Sequence, residues 1–334
     1  MAVMQDSHST AILPLDMARP SVLLIGGSLN QTTMMHRIAQ ELPECDCHFS
    51  PYYADGPLRV MAEHGLLDFT ILGGQARRRT LEYLHAHGLP IDERGTARRY
   101  DLVLTGSDLI VPRNVRGRRL VLVQEGMMDP ETYRYHLVRR LRLPRFVANT
   151  AATGLSFAYD RFCVASPGYF DVFARKGVKP QRMVVTGIPN FDNAASFLDN
   201  DFPHRHYVLA ATSCLRETLK YENRRAFIRR ATAIAGKRPL IFKLHPNERV
   251  ARARREIARD APHAVVFADG NTDHMIANCD ALVTLYSSVV FVAVALGKEV
   301  HADIPIETLR ALTPVQNGGT SARRIAEVCR ECMN

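Results

Sequence analysis

Short apolar runs alternate with helically spaced segments along nearly the whole chain, and they do so in two series. The first series has runs at Ser21–Gly26, Cys47–Tyr53, Phe69–Leu72, Leu102–Leu104, Leu120–Val123, Phe162–Val164 and Met183–Val185. Helical spacing fills the gaps at Thr32–Leu42, Arg77–His87, Glu131–Leu141 and Tyr169–Lys176. The second has runs at Tyr207–Ala211, Leu240–Leu244, Val265–Ala268, Leu282–Leu285 and Val300–Ala302, with helices at Glu222–Ala235, Arg249–Arg259, Asp273–Asn278 and Val289–Leu296. Runs this short, bounded by Gly, Asp and Pro, read as parallel strands covered on both faces. The alternation predicts two α/β parallel sheets joined by right-handed crossovers. A chain of 334 residues suits two such units. The polar stretch Gly187-Ile-Pro-Asn-Phe-Asp-Asn193 separates them, so the expected organisation is a flexible leader (1–20), a first domain (21–187) and a second (188–334).

Composition removes several function classes. With 46% hydrophobic and 23% charged residues the chain is an ordinary globular one. No stretch reaches the ~20 uncharged apolar residues of a membrane span; the best candidate, Ala281–Gly297, is interrupted by Tyr286, Ser287 and Ser288. The N-terminus carries Asp6 and Asp16 and lacks the basic start and apolar run of a signal peptide, which predicts a cytoplasmic protein. Seven cysteines form no disulfide framework, and Cys45/Cys47 and Cys329/Cys332 each make only half a zinc site. The lone Asp199-Asn-Asp201 and the His85/His87 and His204/His206 pairs lack completing ligands, so no metal or cofactor is expected. The net charge of +9 is spread over both halves without an aromatic-interleaved basic stripe, which disfavours nucleic acid and favours phosphates, anionic lipid or an acidic polymer.

Ligands of parallel sheets bind beyond the carboxyl ends of the strands, so the residues after each run are the candidates. In the second half these are Thr212 and Ser213, then Lys243, His245 and Pro246, then Asp269 and Asn271, then Ser287 and Ser288. An imidazole, hydroxyls and helix-start N–H groups at strand ends suit phosphate, although the serines serve equally as helix caps, and Asn247 or Glu248 would cap the helix after Pro246. In the first half, Gly27, Ser28 and Asn30 follow the first run and Gln124-Glu125-Gly126 follows the run at 120–123. Glu125 has the position of a general base, while Asp129 suits the cap of a helix opening at Pro130. No G-x-G-x-x-G, G-x-x-x-x-G-K-[ST] or G-x-S-x-G occurs.

The motifs Glu125-Gly126, His245-Pro246 and Ser287-Ser288 resemble, in order, the acidic-Gly, His-Pro and Ser-Ser/Thr motifs of bacterial sialyl- and polysialyltransferases. Asp280–Val289 with Ala295–Lys298 is similar to the matching region of CDP-glycerol glycerophosphotransferases, and Thr186-Gly187 with Phe191-Asp192 to the linker of Kdo transferases. The resemblance implies a GT-B glycosyltransferase: two Rossmann-like domains facing across a cleft, a CMP- or CDP-type donor with UDP as the other choice, and inverting, metal-independent transfer to a hydroxyl of a surface polysaccharide or glycolipid. It implies Glu125 as base and His245, Ser287 and Ser288 on the leaving phosphate, helped by Thr212, Ser213 and Lys243. Asp269 or Asn271 would reach the ribose, and Gly27, Ser28, Asn30 and Asp129 would line the acceptor side. The family places two acids before its glycine, whereas the first position here is Gln124. The rival readings are a UDP-sugar 2-epimerase, which normally carries Ser-Gly-Gly where this chain has Ser287-Ser288, and a non-catalytic module binding polysaccharide or membrane.

One segment stands outside this scheme. Tyr133–Phe146 sets Arg134, Arg139, Arg140, Arg142 and Arg145 among Leu137, Val138, Leu141, Leu143 and Phe146. Helical spacing puts Leu137, Val138 and Leu141 on one side and arginines on its flanks, with Pro144 ending the helix. Such a segment serves either as a domain helix with a solvated basic face or as a peripheral contact with anionic membrane.

Overall fold

The computed structural model describes residues 19–213, 215–217 and 221–334; the leader up to residue 18 lies outside them. The first series builds β1 (Ser21–Gly26), α1 (Leu29–Gln40), β2 (Asp46–Pro51), α2 (Gly56–Glu63), α3 (Gly74–Ala86), β3 (Leu102–Thr105), β4 (Leu120–Val123), α4 (Tyr133–Leu141), β5 (Arg161–Val164), α5 (Pro167–Lys176) and β6 (Met183–Val185). The second builds β7 (Val208–Ala211), α6 (Arg224–Ala235), β8 (Leu240–Lys243), α7 (Val250–Asp260), β9 (Val265–Phe267), α8 (Thr272–Asn278), β10 (Ala281–Val283), α9 (Val290–Ala295), β11 (Glu299–His301), α10 (Ile306–Leu312) and α11 (Ser321–Met333).

Every strand pair is parallel. The sheets run β2-β1-β3-β4-β5-β6 and β11-β10-β7-β8-β9, so each chain reversal in strand order leaves a crevice at the carboxyl ends. Uniform apolar strands such as Val22–Ile25 and Leu120–Val123 are wholly buried because helices cover both faces. One apolar core passes from the first sheet's layers to one face of the second sheet; α6 and α7 close a separate core on the other face. The last helix returns to the first sheet's layer. There α11 packs on α1 and against β3 and β5, and Arg330 bonds Glu44 at 2.7 Å. The crossing is tight at Gly187, whose φ of 85° suits glycine and whose absent Cβ would lie 2.2 Å from Ser321 Oγ.

Four sequence expectations need correction. Phe69–Leu72 is a turn, not a strand: the Thr70 hydroxyl donates to Leu67 O at 2.7 Å and accepts from Leu72 N at 3.1 Å, leaving Phe69 exposed. Asp129 caps no helix, because α4 opens at Tyr133 after Thr132, and Asp129 instead accepts from the Thr150 hydroxyl at 2.9 Å. Asn247 and Glu248 do not cap α7, which opens at Val250; Glu248 turns inward. On α4 the buried residues are Tyr135 and Val138, so Leu137 and Leu141 do not share the side of Val138 but face outward.

Candidate active site

The first sheet offers a carboxylate held by a helix start. Ser28 caps α1, its hydroxyl accepting from Gln31 N at 3.1 Å, and the same hydroxyl donates to Glu125 Oε1 at 3.0 Å. Gln31 accepts from Gly27 N at 2.6 Å and its amide donates to Glu125 Oε2. Asn30 donates to the Glu125 carbonyl at 3.2 Å and is itself held by Asn190 of the linker at 2.7 Å. Desolvation pushes the Glu125 carboxyl above its ordinary pKa, against the lowering effect of bonds from Gln31, Ser28 and Asn30. A carboxylate so placed is a stronger base than one in water. Gly27 is buried against Tyr52 and Ile71, so it supports the turn rather than lining it openly.

Gln124 is fully buried for a reason an acid could not meet. Its Nε2 donates to Gly126 O at 2.9 Å while its Oε1 accepts from Ala165 N at 2.9 Å. A carboxylate has no proton for the first bond.

The second sheet brings its own strand ends. Ser288 reaches the first half directly: Met127 N donates to its hydroxyl at 3.0 Å, and Tyr286 donates to Met128 O. Gly126 makes room for this, since a Cβ there would lie 2.7 Å from Ser288 Oγ. Neither Ser287 nor Ser288 caps α9 with its side chain, and the half-buried Ser287 hydroxyl has no hydrogen-bond partner among the described residues. Glu125 and Ser288 thus flank the same three-residue turn.

His245 sits at the end of β8 on a buried polar base. Its backbone N–H donates to Thr212 Oγ1 and to Glu248 Oε2, both at 3.0 Å, and the Thr212 hydroxyl donates to Glu248 as well. Arg224 bonds the other Glu248 oxygen at 2.5 Å and pairs with Glu222, whose carboxylate also takes the Ser213 hydroxyl at 2.9 Å. Burial pushes the His245 imidazole down to about 4, helped by Lys243, opposed by Glu217 and helped again by Arg79 of α3. Because Nδ1 accepts from Asn247 N at 3.1 Å, the neutral ring carries its proton on Nε2. At neutral pH His245 is therefore a neutral donor with a basic neighbour, not a cation.

The remaining candidates divide. The Lys243 ammonium lies buried on Leu244 O at 2.9 Å and Ala268 O at 3.1 Å, so it acts on the site as a charge behind His245. Pro246 and Asp269 are exposed on the rim. Asn271 caps α8, accepting from Asp273 N at 2.9 Å and His274 N at 3.3 Å. Asp129 stands three residues beyond Gly126 and is tied to Thr150. Asp199 and Asp201 are exposed, and no group of three or more metal-binding side chains is assembled among the described residues. Sequence reasoning missed Gln31, although Ser28-Leu-Asn-Gln31 is a capping-box pattern that flags both side chains. It also missed the turning-in of Glu248, for which the sequence holds no signal.

No family model matches the sequence, and no curated protein matches it. Solved structures match across nearly the whole chain. A UDP-GlcNAc 2-epimerase from Neisseria meningitidis bound to UDP-GlcNAc is 12% identical, with 93% of this chain and 100% of that one covered at a TM-score of 0.57. A variant of the wall teichoic acid polymerase TagF soaked with CDPG is 12% identical, covering 94% and 89% at 0.52. This chain has the GT-B fold. A glycosyltransferase from Rickettsia africae is 11% identical over 95% of this chain and 93% of that one, at 0.50. At these identities the likeness is one of fold, and GT-B folds carry transferases and epimerases alike. Among the described residues no helix is long and apolar enough to cross a membrane.

Proposed function

We propose that this GT-B protein is an inverting, metal-independent glycosyltransferase. The donor is a nucleotide-activated sugar, of the CMP or CDP type first and UDP second, bound at the second sheet's strand ends; the acceptor is a hydroxyl of a surface polysaccharide or glycolipid at the first. The observation that carries the reading is the turn Glu125-Gly126-Met127, which has a carboxylate of raised basicity on one side and the Ser288 hydroxyl on the other. Glu125 takes the acceptor proton as its oxygen attacks the sugar carbon, and the bond to the leaving phosphate breaks on the opposite face. His245 Nε2–H and the serine hydroxyls donate to the phosphate oxygens as charge builds there, with the His245 backbone held by Thr212 and Glu248. Asp269 or Asn271, on the rim after β9, would hold the nucleoside ribose.

The epimerase reading stands beside it, since UDP-GlcNAc 2-epimerases share the fold. Its chemistry inverts a sugar carbon of the donor and needs no acceptor. Thermal shift across CMP, CDP, UDP and GDP identifies the nucleotide, and absence of any shift leaves only a non-catalytic module. Incubation with the matching nucleotide-sugar alone then separates the reactions: an epimer in the product overturns the transferase.

A further inference from the structure

We infer that the α4 segment is a docking surface for an anionic lipid bilayer, placed beside the acceptor half of the cleft. Six large apolar side chains stand exposed within fifteen residues: Tyr133 (73% exposed), Leu137 (45%), Leu141 (57%), Leu143, Phe146 and Val147. They are not a face waiting for this domain to cover it, because α4 already anchors itself through the other side, where Tyr135 and Val138 pack on Ala148, Ala151 and Ala152. The helix ends at Arg142, which takes a left-handed φ of 51°, and Leu143 N closes the end on Val138 O at 3.1 Å. That reversal turns Leu143 outward to join Leu137 and Leu141.

Charge selects the occupant. Arg134, Arg139, Arg140 and Arg142 are all exposed among these apolar side chains, and Arg140 and Arg142 have no acidic partner among the described residues. Glu131, the single acid from 131 to 147, is taken up near Lys176 at 3.6 Å. Arg145 is different: it bonds Asp108 O at 3.1 Å and holds the segment to the domain. Apolar tips that enter the acyl boundary, with arginines that reach back to phosphates, fit an interface of anionic headgroups over hydrocarbon. An acidic protein would satisfy the arginines but leaves no reason for the projecting leucines. The segment springs from the loop after β4, the strand that ends in Glu125, so a bilayer held there lies next to the first sheet's strand ends. The inference rests on this surface alone and holds whichever nucleotide reaction proves right.

Flotation with phosphatidylglycerol–phosphatidylcholine vesicles tests it, with pure phosphatidylcholine as the comparison. The intact chain should float with the anionic vesicles at low salt and be largely released at high salt. The triple variant Arg139→Gln, Arg140→Gln, Arg142→Gln should bind roughly 100-fold more weakly, at about fivefold per arginine. Leu137→Ser with Leu141→Ser should weaken binding while keeping all charge, which separates insertion from mere attraction to phosphate. All five side chains are exposed, so the variants should keep the wild-type melting temperature and nucleotide shift. No flotation at low salt, equal flotation with neutral vesicles, or unchanged flotation of the triple variant each overturns the proposal. So does sedimentation velocity that shows a self-associated chain which the leucine variants dissociate.

Discussion

At the scale of single residues, Glu125 and His245 have had their protonation moved in opposite directions by burial. The raised Glu125 carboxyl makes a base, so Glu125→Gln should leave donor binding intact and lower turnover by about 10²–10⁴-fold, read by steady-state kinetics. Asp129→Asn, with its side chain committed to Thr150, should stay active; the reverse result moves the base to Asp129. Activity should fall as pH drops through the Glu125 pKa, because only the carboxylate accepts a proton. His245 has the other sign. With its folded pKa near 4 and an ordinary value of 6.5, the stability of the neutral ring is complete above 6.5 and is lost as pH falls toward 4. A bound phosphate raises that pKa, so the protein takes up a proton with the nucleotide. Nucleotide affinity should therefore rise as pH is lowered from about 6.5 toward 4, by calorimetry, and this extra slope should vanish in His245→Gln. The same change to Ala should cost roughly 10²-fold in turnover; equal pH slopes in both proteins leave His245 outside the phosphate site.

At the scale of elements, the sequence displays its strands because both faces of each are buried, which turns a parallel strand into a plain apolar run. That signal fails where a turn happens to be apolar. Phe69-Thr-Ile-Leu72 has the composition of a strand, but the Thr70 hydroxyl ties it into a turn before Gly73-Gly74, and no composition rule sees that bond. Helix ends were less legible still. Serine 28 followed by Gln31 marks the start of α1 by local pattern, whereas Glu248 leaves its helix for Thr212 and Arg224, partners brought near only by the sheet. Gln124 is the sharpest case: it departs from the acid that the resembling family carries there, and only the strand ends of β4 and β5 say why. Gln124→Glu replaces a donor on Gly126 O by a buried carboxylate, which should cost about 1–3 kcal/mol or more at pH 7 by chemical denaturation. The introduced carboxyl has a raised pKa in the fold, so the deficit should shrink as pH falls and the proton for Gly126 O returns. An unchanged stability at pH 7 shows that the two bonds contribute nothing.

At the scale of the whole molecule, the turn after β4 is one of the places where the two halves touch, and there the base lies beside Ser288. The candidate residues of each half could be read from their strand ends; the bond between Ser288 and Met127 spans 161 positions and could not. Gly126 is the residue that permits it. Adding a Cβ at Gly126 puts it 2.7 Å from Ser288 Oγ, but the hydroxyl can rotate away, since its own Cβ would be 3.5 Å from the new atom. Rotation forfeits the bond from Met127 N. Gly126→Ala should therefore cost about 0.5–1.5 kcal/mol, and Ser288→Ala should cost much the same, because each removes the same bond. The double variant should then cost little more than either single one, since a bond can be lost only once. Denaturant midpoints of the four proteins give that cycle directly, without recourse to turnover, which both positions affect for other reasons. Costs that simply add mean that the Ser288 bond to Met127 is not what the two variants share, and the coupling between base and serine must be sought at Tyr286 and Met128 instead.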